Sequence, residues 1–190
     1  FSNEIISLVA EKAKSYSWKF LVVDPVMVSS TGDKLLKDEA IDSYIRKLLP
    51  ISYITTPNIP EAEYLTGIEI NSSDSIILAA KKIFDFGVKN VLIKGGHQLK
   101  DNISEDILYD GNKFHKFSLE RIKSSNTHGT GCSLSSALAS YLAQKNSLIS
   151  SIDLSKKYVW NGIKDSYPVG KGNGPINHLN SIKFNENQLN

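Results

Sequence analysis

Three short apolar runs that do not alternate constrain this chain most. Lys19-Phe20-Leu21-Val22-Val23 ends at Asp24-Pro25, Ile51 to Thr55 is closed by Pro57, and Val88 to Lys94 ends in Gly95-Gly96. A strand that is apolar at successive positions is buried on both faces, as in a parallel sheet covered by helices. Helical spacing fills the intervals. Residues 4–16 place Ile5, Leu8 and Val9 on one face, and Ile41, Tyr44, Ile45, Leu48 and Leu49 recur until Pro50. A short helix is predicted from about Glu61 to Gly67, and another through Ile76, Ile77, Ala80, Ile83 and Phe84, stopped at Gly87. Such alternation predicts an α/β layered fold with a mostly parallel sheet. In sheets of that kind ligands bind beyond the carboxyl ends of the strands.

The second half reads differently. Ile107 to Tyr109 and Lys113 to Phe117, on either side of Asp110-Gly111, predict a β-hairpin. Leu134, Ala137, Leu138, Tyr141 and Leu142 form the apolar face of a helix starting near Gly131, and a last helix fits residues 150–166. The tail from Gly170 is loop-like. No repeat or linker divides the chain, so residues 1–190 are expected to form a single domain.

Net charge is +2, and no segment gathers the basic residues into a stripe, which argues against a nucleic-acid or membrane-surface binder. One cysteine cannot form an internal disulfide. No signal peptide and no membrane-length apolar run is visible, so a cytoplasmic location is expected.

Four motifs carry possible chemistry, and three of them follow a predicted strand. In Gly129-Thr130-Gly131-Cys132 the glycines let the backbone approach a ligand closely. The first N–H groups of the helix lack internal partners and bind phosphate readily. Cys132, in the first turn, is placed to accept a proton from a substrate hydroxyl. The bland alternative is a turn followed by a small core residue. Asn58-Ile59-Pro60-Glu61 sets two side-chain oxygens three residues apart at a helix start, which taken alone reads first as a helix cap and also suits Mg²⁺ held largely through water and phosphates. Asp24-Pro25-Val26-Met27 offers a carboxylate at a strand end, or simply a turn. Lys94-Gly95-Gly96-His97 offers a cation and space for a nucleotide, or an exposed lysine on a glycine turn. His97, His128 and His178 lack zinc-ligand spacing. No phosphate loop with a Gly-Lys-Ser/Thr ending, dinucleotide fingerprint or hydrolase elbow is present.

In order, these pieces resemble the ribokinase-like superfamily, and within it the hydroxymethylpyrimidine/phosphomethylpyrimidine kinases of thiamine biosynthesis. The resemblance rests on Asp24-Pro25-Val26-Met27 with Ser30, Gly32 and Asp33, on Thr56-Pro57-Asn58 through Glu61-Ala62, and on Leu65-Thr66-Gly67. It continues through Lys94-Gly95-Gly96-His97 and Asn126-Thr127-His128-Gly129-Thr130-Gly131-Cys132 to Gly172-Asn173-Gly174-Pro175-Ile176-Asn177-His178. It implies a three-layer α/β/α Rossmann-like sandwich and an enzyme that uses ATP and Mg²⁺ to phosphorylate hydroxymethylpyrimidine and its monophosphate.

By the same resemblance, Gly129, Thr130 and Gly131 form an anion hole and Cys132 is the base. Most of the superfamily has aspartate there. Cysteine is similar to the pyrimidine kinases and to a group of pyridoxal kinases. Asn58, Glu61 and Asp24 are expected at the metal and phosphates, with Glu61 and Asp24 as metal ligands. Val26 is expected at the pyrimidine, and Lys94, His97 and Thr127 at the nucleotide phosphates. The partner is a small-molecule substrate, and a homodimer is allowed.

The family's N-terminal strands and Gly-rich substrate loop have no counterpart here, so roughly a third of such a domain is expected to be missing. The isolated chain is then expected to be inactive while a longer parent is active. The alternatives are pyridoxal kinase on the same fold, or a non-catalytic fragment that keeps only nucleotide binding.

Overall fold

The computed structural model describes residues 2–27, 38–95 and 102–180. Ser30, Gly32, Asp33, Gly96 and His97, named above, lie outside them. Two compact units form, residues 1–121 and 122–190, and each has its own apolar interior.

The first unit holds a five-stranded sheet in the order β1-β2-β3-β4-β5. Strands β1 (Val22–Val23), β2 (Ile54–Thr55) and β3 (Val91–Lys94) run parallel, in the register Val22 to Ile54, Val23 to Thr55 and Thr55 to Val91. The hairpin predicted around Asp110-Gly111 is present as β4 (Ile103–Tyr109) and β5 (Phe114–Glu120). It joins the same sheet antiparallel, with Lys94 opposite Asp106 and Val91 opposite Tyr109. The sheet is therefore mixed: parallel at its β1–β3 end and antiparallel beyond.

Strands β2 and β3 are buried on both faces as their apolar runs require, with Ile54, Val91, Leu92 and Ile93 essentially inaccessible. Val22 and Val23 are only half-buried, because among the described residues β1 has a neighbour on one side alone. The expectation of full burial fails there.

Helix α1 (Asn3–Ser15) forms as predicted but turns the other stripe inward. Ile6, Ala10 and Ala13 are buried, whereas Ile5, Leu8 and Val9 are 49%, 53% and 38% exposed. The small side chains of the buried stripe let α1 approach the turn at Tyr44–Leu48 closely. Helix α2 (Asp38–Ser43) does not run regularly to Pro50. It passes into one π-helical turn, Tyr44–Leu48, and a 3₁₀ turn, Leu49–Ile51, that accommodates the proline. The change of pitch keeps Tyr44, Leu48 and Leu49 all buried.

Helix α3 (Ile59–Thr66) ends at Gly67, whose φ of 67° is the left-handed cap that glycine adopts without strain. Helix α4 (Ser73–Phe84) opens on a reciprocal cap between Ser72 and Ser75 and buries Ile76, Ala79, Ala80 and Ile83.

The second unit is built on α5 (Thr130–Ala143) and α6 (Leu148–Lys164), packed through Leu134, Leu138, Leu142 and Ile152. The tail folds back on α6: Asn177 N–H donates to the Gly162 carbonyl at 2.9 Å, and Ile176 is buried. No described helix is long and apolar enough to cross a membrane.

Candidate active site

In the first unit the parallel strand ends bring Asp24, Asn58, Glu61 and Lys94 together. The Lys94 N–H donates to the Pro57 carbonyl at 2.8 Å, and Asn58 bridges Lys94 in parallel fashion, which carries the β2–β3 pairing past the strands. Lys94 Nζ then lies 2.7 Å from Asp24 Oδ1, with the two side chains only 14% and 12% exposed. Thr56 Oγ1 donates to the same oxygen at 3.0 Å. A pair so covered gains Coulomb energy but loses hydration, and the extra hydrogen bond helps to offset that loss.

The backbone just before Asp24 is held as well. Thr55 Oγ1 donates to the Val23 carbonyl at 3.0 Å and sits 2.9 Å from the buried Tyr44 hydroxyl. Since the Thr55 proton goes to Val23, Tyr44 is the donor in that contact. Burial pushes the Tyr44 hydroxyl well above its ordinary range, and the nearby charges of Asp24 and Glu61 push the same way. It therefore remains a neutral donor.

Asn58 and Glu61 adopt the cap that their spacing allowed. Asn58 Oδ1 accepts from Glu61 N–H at 2.9 Å, and Glu61 Oε2 accepts from Asn58 N–H at 2.8 Å. The cap and the electrostatic site are one structure, because it fixes a buried carboxyl beside Asp24 and Lys94. Burial raises the Glu61 pKa above the usual range, opposed by the Asn58 amide and the Lys94 charge and reinforced by Asp24. Val26 follows β1, half-buried, with its N–H donating to the Asp24 carbonyl at 2.9 Å.

In the second unit Gly129 caps α5 with φ 82°, a left-handed conformation that most residues avoid. As a glycine it offers no side chain to cap the helix. Ser133 N–H reaches the Gly129 carbonyl at 2.9 Å and Thr130 N–H reaches Thr127 at 3.4 Å, but the Gly131 and Cys132 amides make no backbone hydrogen bond among the described residues. Their donors open the helix where its dipole is positive. The loop is braced from behind by His128 N–H on the Gly174 carbonyl at 3.1 Å. A Cβ on Gly174 would run into the Asn126 side chain, which would have to shift to admit it.

Cys132 is exposed. With Gly129 it lines an open groove of about 550 Å³ that continues along Ser136, Ser140, Tyr158 and His178. The core reading of the cysteine fails.

Of the residues expected at the site, the structure brings Asp24, Asn58, Glu61 and Lys94 into one cluster in the first unit, and Thr127, Gly129, Thr130, Gly131 and Cys132 into one loop in the second. Sequence reasoning did not single out Tyr44 or the Thr55 and Thr56 hydroxyls as parts of the site. The signal for the threonines was two adjacent hydroxyls at the end of an apolar run, and the structure buries both completely. Among the described residues no group of three or more His, Cys, Asp or Glu side chains is arranged to hold a metal.

Comparison with known proteins finds relatives along most of the chain. Residues 1–177 match the family described as phosphomethylpyrimidine kinase. The chain is 46% identical over 179 residues to the thiamine biosynthesis bifunctional protein ThiED of Geobacter sulfurreducens, covering 94% of this chain and 36% of that protein. It is 38% identical over its whole length to the hydroxymethylpyrimidine/phosphomethylpyrimidine kinase of Bacillus subtilis, of which it covers 69%. Among solved structures, a pyridoxal kinase from Staphylococcus aureus in complex with AMP-PCP and pyridoxal matches with a TM-score of 0.86 at 32% identity, covering 95% of this chain and 65% of that one. A phosphomethylpyrimidine kinase from Clostridium difficile matches with a TM-score of 0.73 at 43% identity, over 85% and 65% of the two chains. The chain thus spans about a third of the first relative and about two thirds of the others. With this extent of match, and the α/β architecture shared with these kinases, the chain belongs to the phosphomethylpyrimidine kinase family.

Proposed function

We propose that this protein transfers the γ-phosphoryl group of ATP to the hydroxymethyl oxygen of hydroxymethylpyrimidine, and then to its monophosphate, in thiamine biosynthesis. The observation that carries the proposal is the exposed Cys132 sulfur beside two backbone amides that have no backbone partner among the described residues, in a chain of this family.

Cys132 Sγ, as the thiolate, takes the proton from the substrate hydroxyl and becomes the thiol, and the oxygen forms a bond to the γ-phosphorus as the bond to the bridging oxygen of ADP breaks. ADP leaves with that electron pair. The Gly131 and Cys132 amides donate to the phosphoryl oxygens, where charge develops, and Gly129 and Thr130 shape the hole. Lys94, His97, Thr127 and Asn58 attend the nucleotide phosphates, and Val26 the pyrimidine. Thr56 and the Tyr44–Thr55 chain keep Asp24 in place.

Two carboxylates beside one lysine, one of them disfavoured first by burial and then by the other's charge, are hard-oxygen donors suited to a divalent cation completed by phosphates and water. Asp24 and Glu61 would hold Mg²⁺, which when bound neutralises phosphate charge. Such an enzyme works where ATP and Mg²⁺ are abundant, in the cytoplasm.

A second reading, pyridoxal kinase, is favoured by the similarity to the Staphylococcus aureus structure. The test is a coupled ADP-release assay on the protein expressed from its native gene, with hydroxymethylpyrimidine and pyridoxal side by side. The expected result is the higher kcat/KM for the pyrimidine. A preference for pyridoxal selects the second reading, and no turnover on either defeats both.

A further inference from the structure

One buried carboxyl has no part in the chemistry above. Asp106 lies on β4 at 5% exposure, directly opposite Lys94 in the antiparallel register. Its Oδ1 accepts the Gly95 N–H at 3.0 Å. Continued pairing would set Gly95 against Glu105, but the Gly95 donor is taken by a side chain instead, and β3 ends at Lys94. The two backbones are pressed together at this point: a Cβ on Gly95 would overlap the Glu105 carbonyl oxygen. The end of β3 is therefore held from both directions. The Asp106 carboxyl takes the Gly95 amide, and Lys94 N–H is taken by the Pro57 carbonyl at 2.8 Å.

From these contacts we infer that Asp106 is a positioning residue for the nucleotide side of the site. By fixing the Gly95 amide it sets where the chain leaves β3, and so where the Lys94 ammonium sits. The inference rests on the kinase proposal for the role of Lys94, but its structural half stands without that proposal. A buried donor that loses its acceptor must find another or shift, and the flanking backbone shifts with it. The functional effect then falls on ATP and leaves the alcohol substrate untouched.

The test compares Asp106→Ala and Asp106→Asn in the protein expressed from its native gene. The amide of asparagine still offers an oxygen to Gly95, so it should rescue most of what alanine loses. The alanine variant should raise the KM for ATP about tenfold, with the KM for the hydroxymethyl substrate within about twofold, and the asparagine variant should stay within about threefold of wild type on both. A purely architectural role would instead lower the active fraction, and with it kcat, at unchanged KM for ATP, and that result overturns the inference.

The second readout needs no activity. In a nitrogen–proton correlation spectrum the Gly95 amide should move upfield in Asp106→Asn, because a weaker acceptor replaces a carboxyl. An unmoved Gly95 resonance overturns the inference even if Asp106→Ala does not fold. Absence of turnover in the wild-type protein defeats the kinase proposal but leaves this spectral test intact.

Discussion

Lys94 and Asp24 meet at 2.7 Å with both side chains largely covered, and removing one partner strands the other. Lys94→Met should destabilise the fold by roughly 3–5 kcal/mol in denaturant unfolding, whereas the double variant Lys94→Met with Asp24→Asn should recover much of that loss. If the single and double variants are equally unstable, the pair is not held as described. Both residues were legible as strand-terminal charges, because an α/β sheet collects its chemistry at those ends. What the sequence could not show was their pairing across 70 positions, which depends on the parallel register of β1, β2 and β3. Asp106 was harder still. In β4 it stands beside Ile107 and Leu108, and only the antiparallel register with Lys94 reveals that its carboxyl faces a backbone amide.

At the scale of elements, the N-terminus of α5 depends on one left-handed residue. Space is open around the Gly129 Cα, so Gly129→Ala meets only the conformational penalty of its positive φ, about 1–2 kcal/mol. The change should lower turnover through a displaced Gly131–Cys132 loop while the melting temperature falls by only a few degrees. A variant that keeps full turnover would show that the loop tolerates another backbone path.

The hairpin offers a pH test. Asp110 caps the turn, accepting from Lys113 N–H at 2.7 Å and Asn112 N–H at 2.9 Å and pairing with His115 at 2.8 Å. The Lys113 amide first, then His115 and the Asn112 amide, hold its carboxyl down at about 2. A depressed carboxylate pKa contributes stability that is present above the unfolded value near 3.9 and lost as pH falls toward about 2. Asp110→Asn should therefore lower stability at neutral pH and flatten the acid-unfolding slope in that window. An unchanged slope contradicts the assignment.

Hairpin, helices and caps were readable because each is local chemistry: Asp-Gly in a turn, Asn58 three residues before Glu61, Gly67 after Thr66. Helix α1 was misread because it carries two apolar stripes. The larger side chains, Ile5, Leu8 and Val9, gave the stronger pattern, yet the stripe with Ala10 and Ala13 is the one that permits close packing on the Tyr44–Leu48 turn.

At the scale of the whole molecule, the α/β class followed from buried strands alternating with helices, and the family from several motifs kept in order along nearly the whole chain. The mixed sheet was not readable, because a hairpin predicted from sequence does not say which sheet it joins. The central claim is chemical: a sulfur in the first turn of α5 removes the substrate's proton while neighbouring amides hold the phosphoryl group. The most direct measurement is turnover and ATP affinity of Cys132→Ala beside wild type, in the protein expressed from its native gene, with hydroxymethylpyrimidine as acceptor. Loss of a general base lowers kcat roughly a hundredfold to ten-thousandfold, and the account predicts that loss with the Kd for ATP unchanged. Wild-type kcat in the alanine variant, or equal losses in kcat and ATP affinity, would contradict it.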